Sequence, residues 1–123
     1  MTKRVLDVGN CGLDHQAIRN LLQRDFNAEV VQAHTAAEAL AALRDRPYDL
    51  VLVNRKFDSD HDDGLDLIRA IKHDPQFGAT PVMLISNYPQ YQAQAAGLGA
   101  EAGFGKSQLA GGQTREQLER FLA

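Results

Sequence analysis

The sequence predicts a doubly wound α/β domain: a parallel sheet of five strands with helices on both faces. Three observations lead there. Short apolar runs alternate with stretches of helical periodicity along the chain. Two of those runs, Leu50-Val51-Leu52-Val53 and Val82-Met83-Leu84-Ile85, are apolar at every position, as strands covered on both sides must be. Strands that alternate with helices pair in parallel through right-handed crossovers, which put helices above and below the sheet.

Each element follows from local chemistry. Val5-Leu6-Asp7-Val8 reads as a first strand, stopped by Gly9-Asn10-Cys11-Gly12. Asp14 is placed to cap the first helix, whose Ile18, Leu21 and Leu22 recur at helical spacing. Glu29 to Ala33 is the second strand. Thr35-Ala36-Ala37-Glu38 has the form of a capping box, and Ala36, Ala39, Leu40 and Leu43 give its helix an apolar stripe. The third strand runs into Asn54, and after a polar loop Gly64 opens a helix with Leu65, Ile68 and Ile71 on one side. The fourth strand spans Pro81 to Ser86. Pro89 to Leu98 is a weakly amphipathic helix ended by Gly99. Ala102-Gly103-Phe104-Gly105 is a poor strand by propensity and is read as one because the alternation requires it. A second capping box, Thr114 to Gln117, starts the last helix near Thr114, with Leu118, Phe121 and Leu122 inside.

The bulk composition excludes several function classes. A chain of 123 residues that is 44% apolar and 24% charged is one ordinary domain's worth of core. Its net charge of -3 gives no electrostatic case for nucleic acid or anionic membrane as the main partner. The single cysteine, Cys11, rules out an internal disulfide and suits a reducing compartment. No apolar run approaches the roughly 20 residues that span a bilayer, and Asp7 interrupts the short one at the start. A cytoplasmic protein is expected.

Ligands of open α/β sheets bind beyond the carboxyl ends of the strands. Those ends here carry Gly9 and Asn10, Asn54, Ser86 and Asn87, and the turn with Lys106. A buried strand ending at a polar residue, Asp63-Gly64 opening the next helix, and a lysine after a late strand form a pattern. It resembles the receiver domain of two-component response regulators over essentially the whole chain. The resemblance implies a single domain, 1–123, with a flavodoxin-like sheet of order 2-1-3-4-5 and five helices. It also implies an acidic pair at Gly9 and Asn10, a phosphoacceptor aspartate at Asn54, a hydroxyl at Ser86 and a lysine at Lys106. The last two are present; the three carboxylates are not.

Magnesium takes oxygen ligands and usually a carboxylate among them. Two unit charges about 4 Å apart interact by about 4 kcal/mol at an effective dielectric of about 20. Removing three anionic groups while keeping Lys106 therefore removes most cation affinity, and no metal or other cofactor is expected. One arrangement open to Lys106 is donation to the Asn54 carbonyl oxygen. Two further departures concern output. Ser107 follows the lysine where the family has a cis proline, and Gly103 stands where the family has an aromatic residue that reports the switch state. Phe104, one place later, points to the other side of a strand. The loop from Asn54 to Gly64 is about two residues longer than the family's spacing.

The remaining candidates each have a plain explanation. Asp58-Ser59-Asp60-His61-Asp62-Asp63-Gly64 does not fit the calcium-loop spacing and reads as a solvated, helix-capping loop. Cys11 has no CxxC partner. Asp7 is expected at an end of the sheet or bonded to a neighbour's hydroxyl, and His15, His34, His61 and His73 at the surface or in caps. No base-nucleophile pair lies near the strand ends, so an enzyme is not expected. The resulting expectation is a signalling module that binds a histidine kinase, an output domain or another signalling protein without aspartyl phosphorylation. The face that receivers use for partners would include Tyr88, Tyr91, Gln94 and Phe104. The rival expectation is a sensor binding a small anion or nucleotide at Gly9, Asn10, Ser86 and Lys106.

Overall fold

The computed structural model describes residues 2–123. Its elements are β1 (Arg4–Val8), α1 (Gly12–Phe26), β2 (Glu29–Ala33), α2 (Ala36–Asp45), β3 (Leu50–Asn54), α3 (Gly64–His73), β4 (Val82–Ile85), α4 (Pro89–Gly97), β5 (Glu101–Phe104) and α5 (Gly112–Leu122). A single 3-10 turn, Lys106–Gln108, follows β5. The five strands form one sheet of order β2-β1-β3-β4-β5, parallel throughout. This is the flavodoxin-like topology. The chain reverses its direction of winding between β1 and β3, so their carboxyl ends flank the crevice where such sheets bind ligands.

Strand alternation sorts the core into two layers. Leu6, Val8, Val51, Val53, Val82 and Leu84 face α2, α3 and α4, where they meet Leu43, Ile68 and Ile71. Val5, Leu50, Leu52, Met83 and Ile85 face α1 and α5, against Ile18, Leu22, Leu118 and Leu122. The side-chain period of two assigns each strand residue to one layer. Asp7 falls on the α1/α5 side and is fully buried in mid-strand, not at a sheet end as its sequence suggests.

Helix starts deviate instructively from the sequence expectation. Cys11 rather than Asp14 occupies the cap position of α1, and Asp14 lies in the first turn. Thr35 does cap α2 by accepting from the Glu38 amide at 3.1 Å, but the Glu38 carboxylate reaches the His34 amide at 3.0 Å, one residue earlier than a capping box requires. Helix α5 begins at Gly112, two residues before Thr114. Thr114 is instead buried, and its hydroxyl donates to the Gln108 carbonyl at 2.7 Å. That bond fastens α5 to the 3-10 turn behind Lys106.

The weak fifth strand forms because its glycine is needed. A Cβ at Gly103 would lie 2.1 Å from the Leu84 carbonyl oxygen and 2.8 Å from Gln92 Oε1. The pairing with β4 is irregular between Met83 and Ile85. Among the described residues every peptide bond is trans, and no helix is long and apolar enough to cross a membrane.

Leu52 sits fully buried at the centre of the sheet's middle strand. Leu52→Ala is expected to lower unfolding free energy by roughly 2–5 kcal/mol, since it removes transfer energy and leaves a cavity. Urea unfolding followed by far-UV circular dichroism measures the loss.

Candidate functional site

The site is built at the ends of β1, β3, β4 and β5. β1 stops at Gly9, whose φ of +82° turns the chain sharply and whose amide still pairs with the Ala33 carbonyl at 2.9 Å. The positive φ favours glycine. Packing adds a second constraint: a Cβ at Gly9 would lie 2.2 Å from the Phe57 ring. Phe57 belongs to the loop after β3, yet it is fully buried. Its backbone is pinned on both sides, by Phe57 N to the Asp62 carbonyl, by His61 N to the Phe57 carbonyl and by Asp58 N to the Gly9 carbonyl, each at 2.9 Å. The long loop thus folds back on itself and delivers an aromatic ring to the end of β1.

Asn54 closes the same corner. Its Nδ2 group donates to the Gly9 carbonyl at 3.2 Å and to the Lys56 carbonyl at 2.7 Å. The side chain is buried; it supplies the donor to the Lys56 carbonyl and a second donor, beside the Asp58 amide, to the Gly9 carbonyl. A carboxylate has none to offer.

Asn10 is 2% exposed and donates from Nδ2 to Asp7 Oδ1 at 2.5 Å. Asp7 Oδ2 pairs with His15 Nδ1 at 2.7 Å. His15 is buried, not on the surface, and Asp7 bonds an imidazole and an amide rather than a hydroxyl. Burial raises the Asp7 pKa above its ordinary value of 3.8, against the lowering effect of the bonds from His15 and Asn10. The Asn10 side-chain oxygen, Oδ1, is buried and has no partner among the described residues.

Lys106 does not bond the Asn54 side chain. Its Nζ lies 2.7 Å from Asp14 Oδ2. That bond holds the Asp14 carboxyl below its ordinary range, with Cys11 Sγ adding a further contact at 3.3 Å. Asp14, read from sequence as a helix cap, is therefore the partner of the cleft lysine.

Ser86 is buried, and its hydroxyl accepts from the Tyr88 amide at 3.2 Å. Gln92, one turn into α4, reaches back to donate to the carbonyls of Leu84 at 2.9 Å and Ser86 at 3.2 Å. Its other amide atom abuts Gly103. Of the expected partner surface, Tyr88 (59% exposed) and Gln94 are open and Tyr91 is half-buried. Phe104 is not part of it. At 3% exposure it packs in the α1/α5 layer, because the strand's alternation turns its ring inward. Arg55 lies beside this surface with its guanidinium 4.2 Å from the Tyr91 ring centroid. The acidic loop uses its carboxylates locally: Asp63 caps α3 through the Leu65 amide at 2.9 Å, and Asp60 accepts from the Asp62 amide at 3.0 Å. Among the described residues, no group of three or more His, Cys, Asp or Glu side chains is placed to hold a metal ion.

The sequence reading missed Phe57, Arg55, Gln92 and the Asp14 partner of Lys106. Phe57 carried a signal, since a lone aromatic in an otherwise polar loop must pack somewhere. The other three depend on contacts between separate elements.

Comparison with known proteins agrees with this architecture. The model of the response regulator receiver domain matches residues 13–108. The chain belongs to that family. Chemotaxis response regulator CheY4 of Vibrio cholerae superposes with a TM-score of 0.77 at 22% identity, covering 99% of this chain and all 100% of that one. A response regulator receiver protein from Pseudomonas putida gives 0.81 at 20% identity, with 98% of each chain covered. The N-terminal domain of a response regulator receiver protein from Methanoculleus marisnigri gives 0.73 at 26% identity, covering 98% of this chain and 96% of that one. No curated protein matches the chain.

Two outcomes follow from the geometry. Asn54→Asp should destabilise the protein by roughly 1–3 kcal/mol at neutral pH, because the Lys56 carbonyl loses its donor and the Gly9 carbonyl loses one of its two. The deficit relative to the parent should shrink as acid protonates the new carboxyl and restores one donor; urea unfolding at both pH values reads it. For Asp7 the sign is opposite to that of a salt-bridged carboxylate. Its raised native pKa stabilises the fold fully below 3.8, and that contribution is lost as pH rises through the native value. The stability of the parent relative to Asp7→Asn should therefore fall as pH rises above 3.8, which urea unfolding of both proteins across the acid range measures.

Proposed function

We propose that this chain is a single receiver domain, 1–123, that signals by binding a protein partner and takes no phosphoryl group at position 54. The observation that carries the reading is the Asn54 amide, which donates to the Gly9 and Lys56 carbonyls at 3.2 and 2.7 Å. An amide is no practical phosphoryl acceptor. Here it also occupies the point where those two carbonyl oxygens converge, with N–H groups rather than a cation between them.

The residues do not fit a magnesium ion. Gly9 supplies no side chain, the Phe57 ring fills the space a side chain at Gly9 would take, and Asn10 turns its amide nitrogen to Asp7. Magnesium demands hard oxygen donors in near-octahedral geometry, and a phenyl ring against the turn offers none. Lys106, the residue that would meet phosphoryl oxygens in the family, is engaged by Asp14.

Output by a moving aromatic side chain also lacks its parts. Gly103 has no ring, and Gln92 ties α4 to the end of β4 through two carbonyls. These features support a domain held in one conformation, whose partner meets a standing surface rather than a phosphorylation-dependent one. Tyr88, Tyr91 and Gln94 supply that surface, and a cytoplasmic signalling protein such as a histidine kinase or an output domain is the partner class. A sensor of a small anion or nucleotide at Gly9, Asn10, Ser86 and Lys106 finds less support. Phe57 closes the Gly9 side, and the Ser86 hydroxyl and Lys106 ammonium already have partners.

Incubation with acetyl phosphate and magnesium, followed by intact mass measurement, tests the reading. The mass should remain that of the unmodified chain. An acid-labile phosphoryl adduct would overturn it. The variant Asn54→Asp should also fail to gain an adduct while Gly9 and Phe57 remain, because an acceptor alone does not rebuild the cation site.

A further inference from the structure

We propose that the open half of the carboxyl-edge cleft is a docking site for an acidic stretch of a partner protein. The inference rests on the protein-binding reading above and specifies the chemistry of the partner. Between the β3–α3 and β4–α4 connections lies a cavity of about 450 Å³. Arg55 and Lys56 line it, together with Ser86, Tyr88, Tyr91 and Lys106, the last already paired with Asp14, and no carboxylate is part of the lining.

Arg55 is the least satisfied of these groups. Its guanidinium stacks on Tyr91, a contact that uses the planar face and leaves the edge N–H groups for a ligand. The nearest carboxylate, Asp63, approaches its Nη1 only to 3.8 Å, beyond hydrogen-bond reach, and is committed to capping α3. The buried Nε has no hydrogen-bond partner among the described residues. Carboxylate oxygens match the guanidinium fork, and charge-assisted bonds of this kind are about twice as strong as neutral ones.

Charge complementarity selects the occupant. The chain as a whole carries a net charge of -3, so its surface at large repels an acidic ligand and this cleft attracts one. The cavity is too roomy for one carboxylate or one inorganic anion alone. Tyr88 and Tyr91 meet edge to face, with ring centroids 6.0 Å apart, and Tyr88 is 59% exposed. An exposed tyrosine, a half-buried one and an arginine side by side are what the energetic centres of protein interfaces contain. A peptide segment uses both the cations and the rings.

A fluorescein-labelled hexaglutamate peptide, followed by anisotropy at low salt, is the direct probe. The parent protein should bind it and ignore a labelled hexalysine peptide. Lys56→Glu and Arg55→Gln should each weaken binding by about tenfold or more, while Arg19→Gln, on an exposed position of α1, should leave it unchanged. Lys56 is exposed, so that variant keeps its fold, which thermal unfolding verifies. Failure of hexaglutamate to bind, or equal binding by Lys56→Glu, overturns the proposal. So does displacement of the peptide by micromolar inorganic phosphate at matched ionic strength, which would mark a small-anion site. A phosphoryl adduct with peptide binding intact would instead overturn the phosphorylation-independent reading and leave the cleft assignment standing.

Discussion

The Nδ2 group of Asn54 joins the end of β1, the end of β3 and the first turn of the following loop through two hydrogen bonds. The ladder between β1 and β3 ends at Val8 and Val53, and beyond it the two strand ends meet only through side-chain and loop bonds. Buried carbonyls left without donors would cost the corner its shape. The same Gly9 carbonyl also receives the Asp58 amide, so it binds both the side chain that ends β3 and the loop that follows. Phe57 lies between these two anchor points, which is why a ring from a polar loop ends fully buried against a glycine.

A buried polar row runs behind this corner. Asn10 bonds Asp7, and Asp7 bonds His15, so the turn after β1 is tied to the first turn of α1 inside the α1/α5 layer. Asp14, next to His15, faces the other way and holds Lys106. One helical turn therefore serves two purposes: it secures a carboxyl group within the sheet and restrains the lysine at the cleft. Fixing Lys106 to α1 couples the turn after β5 to the turn after β1 across the sheet's carboxyl edge.

The fold was legible in the sequence because its determinants are local and repetitive. The all-apolar runs at Leu50 to Val53 and Val82 to Ile85 could only be covered strands, and the intervening helices followed from spacing. Helix starts were less legible. Thr35 and Thr114 carry the same capping signature, yet only Thr35 caps: α5 already starts at Gly112, and Thr114 lies inside it with its hydroxyl donating to the Gln108 carbonyl. The strand-end positions of Gly9, Asn10, Asn54, Ser86 and Lys106 were placed by the family resemblance. Their partners were not, since Lys106 to Asp14 and Asn54 to Gly9 span 92 and 45 positions of chain. Phe104 shows the converse case: its single-residue offset from the expected place correctly implied the opposite face, and that face is the core.

Charge distribution divides the carboxyl edge into two unlike halves. On the β1 side an aromatic ring and an amide close the corner, and the acidic Asp14 is consumed by Lys106. On the β4 side Arg55 and Lys56 stand beside two tyrosines with little carboxylate to balance them. In a receiver with its acidic groups in place, those cations would face neighbouring carboxylates and a bound metal, and the local field would be mixed. Gly9, Asn10 and Asn54 are all uncharged, which leaves Asp63, 3.8 Å from Arg55, as the carboxylate beside these cations. On the proposed reading, uncharged side chains at one end of the cleft and cationic ones at the other act together, and the cleft favours an anion over a cation.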